Sequence, residues 1–181
     1  MSSISVYGDV YSESQIPIIF SPESSDSYGS GKLCDETLLI SRCKHLDILR
    51  LMPVYDSNNL QDIKKRVCLP KTNIKIIINP SPLYSICNIK NVLSSVLNSM
   101  EFNTGQRISH VGDAEPVSQK ELSTWFPGKA IPVPQSVFKF TLFLLPKKFR
   151  LLKKVAFMLK KLGLGNTYEI GFKEIKYINS F

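Results

Sequence analysis

Histidine and cysteine are scarce in this chain of 181 residues. The two histidines, His45 and His110, and the four cysteines, Cys34, Cys43, Cys68 and Cys87, form no Cys-x-x-Cys pair and no cluster at metal-ligand spacing, so no metal site is expected. Four scattered thiols are too few for a disulfide-stapled fold and suit small, buried or half-buried side chains in a reducing, cytoplasmic setting. Long apolar runs are missing too. The greasiest stretch, Phe138 to Leu145, contains Lys139 and stops at Pro146, too short to cross a bilayer, and the first residues carry no basic-then-apolar leader. Acids are absent between Glu121 and Glu169, where Lys129, Lys139, Lys147, Lys148, Arg150, Lys153, Lys154, Lys160 and Lys161 supply nine positive charges.

What is present is ordinary for a globular domain with a real core: 43% apolar and 10% aromatic residues. The formal charge is +8, yet outside the segment between Glu121 and Glu169 there are 14 bases against 15 acids. The chain therefore reads as near neutral with one basic limb. No recognised nucleic-acid motif accompanies that limb, so no nucleic-acid partner is expected. Within the basic helical segment 134–162, Phe149, Leu152, Val155, Ala156 and Leu159 make an apolar stripe, with Arg150, Lys153, Lys154, Lys160 and Lys161 mostly off it. Two readings stay open. The helix docks and leaves its basic face to solvent or to nucleotide phosphates, or residues 147–161 make a weak membrane-surface contact.

Strands and helices alternate along the chain. Ser5-Val6-Tyr7 reads as the end of a buried strand, followed by a polar, proline-containing connection over 9–27. A helix is expected over 28–43, then a continuous apolar strand from Leu46 to Tyr55. A short helix over 59–67, a strand over 73–79, a brief strand over 84–89 and a helix over 91–100 follow. A strand over 107–111 leads to Ser118, which reads as an N-cap with Glu121 completing a capping box. Ala130 to Val133 reads as a strand, and two helices broken at Pro146 come after it. The pattern predicts an α/β fold with a largely parallel sheet and no linker between independent domains.

Three features carry chemistry. Tyr28-Gly29-Ser30-Gly31-Lys32 sets a phenol and an ammonium four residues apart on one helical face, where the cation can favour the phenolate. Ser2-Ser3-Ile4-Ser5-Val6-Tyr7-Gly8 places hydroxyls at the carboxyl end of a presumed strand, where ligands of open α/β sheets bind. Leu49-Arg50-Leu51-Met52-Pro53-Val54-Tyr55 brings a buried strand to a proline turn. Each alone has a plain structural explanation: a solvated lysine beside a tyrosine, a serine capping its own backbone, a strand with a stop.

In this order the three resemble the extended short-chain dehydrogenase/reductases, specifically the NAD-dependent nucleotide-sugar epimerase/dehydratase family. The matching residues are Ser2-Ser3 with Val6-Tyr7-Gly8, Tyr28-Gly29 with Lys32 and Glu36, and Arg50 with Pro53-Val54-Tyr55. Further on, Tyr84-Ser85 with Asn91-Val92 and the run Val111-Gly112-Asp113-Ala114-Glu115-Pro116 with Ser118 are similar to later segments of that family. The resemblance covers residues 1–135 well and the rest loosely.

The resemblance implies a partial Rossmann-like sheet, the second half of a doubly wound fold, with a small α/β substrate-binding lobe. Residues 1–56 would be the catalytic half of the sheet, and 57–181 further strands and the lobe. It implies catalytic Tyr28 as acid/base, Lys32 holding the nicotinamide ribose of NAD, and Ser3 hydrogen-bonding the reacting hydroxyl. Met52 and Pro53 would meet the cofactor's carboxamide end, Pro53 also the substrate. The implied partner is a nucleotide sugar, UDP-hexose above all, with a homodimer through helix 28–43. Ser3 is followed by Ile4-Ser5 rather than an Asp-Glu pair, which favours epimerase or reductase chemistry over dehydration. The chain departs from the family at Pro53, Asp56, Leu83 and Lys90-Asn91, and it lacks the Gly-x-x-Gly-x-x-Gly phosphate loop. It is therefore expected to be the carboxyl-terminal part of such an enzyme, with about 100 residues upstream. Whether it is catalytic alone, or a non-catalytic remnant that pairs with another subunit, is left open.

Overall fold

A computed structural model describes residues 1–8, 15–19, 22–24, 27–101, 105–144 and 150–175, with backbone alone at 150–154 and 157. Pro146, Lys147, Lys148 and Phe149 lie outside the described residues, as do most of the connection over 9–27 and the side chains of Arg150, Leu152, Lys153 and Lys154.

The main sheet has four strands in the order β1 (Ser2–Ser3), β2 (Leu46–Leu51), β7 (Gln106–Val111) and β10 (Gly171–Glu174). The first three run parallel and β10 runs antiparallel to β7. Register is fixed by Ser3 opposite Leu51 and Leu51 opposite Val111. Alternation explains why β2 is so apolar. Ile48 faces a cluster with Ile18 and Ile108, while its neighbour Leu49 faces the other way, into a cluster with Val6, Met52 and Val111. Helix α1 (Ser27–Arg42) packs on β1 and β2, and α3 (Ile89–Met100) packs on β2 and β7 through Val92 and Val96.

Three two-stranded ladders stand beside this sheet: β3 (Val54–Tyr55) parallel with β6 (Cys87–Asn88), β4 (Lys75–Asn79) parallel with β9 (Ala130–Pro134), and β5 (Leu83–Tyr84) antiparallel with β8 (Val117–Ser118). Helices α2 (Gln61–Lys64), α4 (Gln119–Thr124), α5 (Gln135–Leu144) and α6 (Arg150–Gly163) complete the chain. Ile78, Phe138 and Leu162 join β4, α5 and α6 in a cluster of their own. Among the described residues the architecture is α/β with mostly parallel pairing and no closed barrel.

Two strands differ from expectation. Ser5-Val6-Tyr7 is not strand. The strand ends at Ser3, whose Oγ accepts from Ser5 N at 3.2 Å and turns Ile4–Tyr7 into a 3-10 helix, although Val6 and Tyr7 are still buried. The expected strand from Leu46 to Tyr55 is split, because Pro53 has no N–H for a ladder and β3 leaves the main sheet to pair with β6. The short helix over 59–67 contracts to α2, and α3 begins two residues early, capped by Asn88 Oδ1 accepting from Lys90 N at 3.0 Å. Ser118 caps α4 as expected, accepting from Glu121 N at 3.2 Å. Cys34 is exposed, Cys43 is intermediate, and Cys68 and Cys87 are buried.

Candidate functional site

Parallel β1, β2 and β7 end side by side, and a cavity of about 530 Å³ opens at those carboxyl ends. Four of the residues singled out in the sequence line it: Ser3 from β1, Tyr28 from the first turn of α1, and Met52 and Pro53 from the turn after β2. Lys32 is not among the lining residues; its ammonium sits 3.6 Å from Asp35 on the same helix.

The close approach of α1 to the 3-10 turn places Tyr28. A Cβ at Gly29 would collide with the carbonyl oxygen of Ser5 and with Ser24 Oγ, so only glycine allows the helix this near. Ser24 Oγ donates to Ser5 O at 3.1 Å and Ser30 Oγ donates to Ser24 O at 2.9 Å, tying the helix start to the turn. Tyr28 itself remains 59% exposed. Ser3 Oγ lies 3.1 Å from Ser5 Oγ, a pair of hydroxyls at the strand end. Met52 N donates to Val111 O at 3.1 Å and Pro53 O accepts from Cys87 N at 3.0 Å, which fixes that turn between two strands. Ser2 is buried, and its Oγ has no hydrogen-bond partner among the described residues.

Another part of the lining is cationic, and of it the sequence had pointed only to Lys161, in the basic segment expected to face solvent or nucleotide phosphates. Lys65, Arg66 and Lys161 line the cavity with Asp62, Asn166 and Tyr168. Asp62 is held below the ordinary carboxylate range chiefly by its 2.6 Å contact with Lys65 Nζ, with Arg66 and Lys161 adding to the effect through space. The buried Arg66 guanidinium lies 5.2 Å from the centre of the Tyr84 ring. Three cations against one acid leave this wall positive. The run Lys64-Lys65-Arg66 was the signal available in the sequence, eclipsed there by the larger basic segment, of which Lys161 alone lines the cavity among the described residues.

Behind Tyr168 lies a buried polar network. Burial pushes the Tyr168 hydroxyl up to about 12, and its ring packs against Tyr7 and His110. Tyr7 Oη is 2.6 Å from His110 Nε2 and accepts from Arg50 Nη1 at 2.9 Å. Arg50 grips Glu36 with Nε to Oε1 at 3.0 Å and Nη2 to Oε2 at 2.6 Å, both residues buried. The network joins α1 to β2 and β7 directly beneath the site.

No protein-family model matches the chain, and no curated protein matches it. Solved structures do. ADP-L-glycero-D-manno-heptose-6-epimerase of Helicobacter pylori superposes with a TM-score of 0.54 at 17% identity, covering 74% of this chain and 47% of that enzyme. UDP-glucose 4-epimerase of Thermus thermophilus, solved with NAD, gives 0.51 at 17% identity over 74% of this chain and 50% of that one. A conserved protein of unknown function from Silicibacter pomeroyi gives 0.59 at 16% identity, over 93% and 55%. The chain spans about half the length of these proteins. Its fold is that of the Rossmann-like NAD-dependent epimerase/dehydratases.

Proposed function

We propose that the chain is the catalytic and substrate-side part of an NAD-dependent nucleotide-sugar epimerase, of the UDP-hexose 4-epimerase type that works through a transient 4-keto sugar. The observation that carries this reading is the convergence of Ser3, Tyr28, Met52 and Pro53 on one cavity at the ends of parallel strands.

The cavity suits the nicotinamide end of the cofactor. It offers an apolar turn at Met52-Pro53, the hydroxyls of Ser3 and Tyr28, and the buried Ser2 Oγ, which has hydrogen-bonding capacity to spare. The pyrophosphate end has no glycine-rich loop to rest on within these 181 residues. When bound, the nicotinamide supplies hydride acceptance and return. Tyr28 Oη takes the proton from the sugar hydroxyl as the carbon is oxidised and gives it back on reduction. Ser3 Oγ orients that hydroxyl. Lys65, Arg66 and Lys161 face the diphosphate, where charge-assisted hydrogen bonds are strongest. Leu38 and Leu39 remain exposed on α1, the helix through which pairing is expected.

The position of Lys32, outside the cavity lining with its ammonium 3.6 Å from Asp35, favours a second reading, a chain that binds the sugar nucleotide without turning it over. Incubation with NAD and UDP-glucose, followed by proton NMR of the anomeric region, separates the two. Epimerase function predicts UDP-galactose, and Tyr28→Phe lowers the rate by about 10²–10⁴-fold while leaving UDP-glucose binding in place. Binding without product supports the second reading, and no binding overturns both.

A further inference from the structure

Helix α3 carries two apolar stripes and buries one. Val92 and Val96 hold it to the main sheet, whereas Leu93, Leu97 and Met100 are 59%, 64% and 77% exposed, with Ile89 exposed beside them. At helical spacing these four exposed side chains fall within an arc of about 80°. Lys90 and Glu101 border that arc on the same rim, the lysine in the first turn and the glutamate at the C-cap, where the backbone is still helical. Both are exposed, and neither forms an ion pair among the described residues. The residues between them are all uncharged, so in a chain of net charge +8 this face is locally neutral.

We propose that this face of α3 is the contact surface of a homodimer, packed antiparallel on α3 of a second copy about a two-fold axis. An axis perpendicular to both helices keeps each rim on its own side and exchanges the helix ends. Lys90 then faces Glu101 of the partner subunit, and Glu101 faces Lys90 of the partner subunit. Eleven positions, about 16 Å of helix, separate the two charges, so the axis passes between Ser95 and Val96. Leu93 and Leu97 fall on either side of it and interlock with Leu97 and Leu93 of the partner subunit. The helix is thus complementary to its own reverse, in charge as in apolar surface, which is what an isologous contact requires. This surface is separate from α1: Ile40 of α1 packs with Ile48 on one face of β2, while Val92 and Val96 stand with Leu49 on the other.

Sedimentation equilibrium of the full chain over a concentration series tests the pairing. The wild-type chain is expected to dimerise, and Leu93→Ser, Leu97→Ser to weaken the dimer about a hundredfold or more. Both leucines are exposed, so that variant keeps its core, which circular dichroism checks. Lys90→Glu or Glu101→Lys alone sets like charges against each other twice and is expected to weaken the dimer about tenfold. The two reversals combined restore it, a rescue that damage to the fold does not produce. A monomer throughout the series overturns the proposal, as does a charge-swapped double variant no tighter than its single parents. A dimer that survives the α3 leucine changes but is lost in Leu38→Ser, Leu39→Ser assigns pairing to α1 and overturns it as well.

Discussion

Arg50 is wholly buried on the central strand, a position where a charge survives only with full compensation. Burial works against the guanidinium, and the two-point grip on Glu36 together with Tyr7 more than offsets it, raising the Arg50 pKa above its ordinary value. The same network fixes the state of His110. Burial pushes His110 below the ordinary imidazole value of 6.5, and its Nδ1 lies 2.8 Å from the carbonyl of Glu169, so Nδ1 carries the proton and Nε2 accepts from Tyr7. A base depressed in the folded state binds fewer protons than in the unfolded chain. Its contribution is therefore complete above pH 6.5 and is lost as the pH falls from there toward the folded value. His110→Gln keeps an acceptor and a donor but does not titrate. Urea unfolding at a series of pH values is expected to show wild-type stability falling below pH 6.5 by up to about 1.4 kcal/mol per unit more steeply than in the variant. Parallel curves would contradict the assignment.

At the scale of elements, the approach of α1 to the turn Ile4–Tyr7 governs the site. Gly29→Ala forces the helix start away from Ser5 and is expected to cost about 1–3 kcal/mol in chemical unfolding. It is also expected to weaken ligand binding, because Tyr28 moves with the helix. Gly31→Ala, which meets nothing within 4 Å, is the control: alanine inside the helix should raise stability by about 0.5–1 kcal/mol and leave ligand binding unchanged. The elements themselves were largely legible in the sequence. Runs such as Lys75–Asn79 and Gln106–Val111 are apolar and β-branched enough to specify strands, and Ser118 with Glu121 marked a helix start. The turn at Ser5–Tyr7 was hidden because its cause, the Ser3 hydroxyl bonding two residues ahead, competes with an apolar pattern that suits a strand equally well. Glu36 and Arg50 were visible only as parts of motifs, since their pairing needs a helix and a strand brought together. That the parts of the positive wall meet was hidden for the same reason. Lys65 and Lys161 come from α2's end and α6, about half the chain apart, and Asn166 and Tyr168 reach the cavity through the bridges Tyr84–Asn166 and Ile16–Tyr168.

At the scale of the whole molecule, two cavities among the described residues sit on different parts of the sheet. The larger, at the ends of β1 and β2, holds the tyrosine, the serines and the cations; the smaller, of about 300 Å³, is lined by Asp47, Ser109 and Phe172 among others. Of these two, the first joins hydroxyls at the strand ends to a surplus of positive charge, the combination that the proposed sugar nucleotide requires. Proton–nitrogen NMR titration of the labelled full chain with UDP-glucose tests that assignment most directly. The predicted result is saturable shifts at the amides of Ser3, Tyr28, Met52, Lys65 and Lys161. No shift at millimolar UDP-glucose, or shifts confined to Asp47, Ser109 and Phe172, would contradict it.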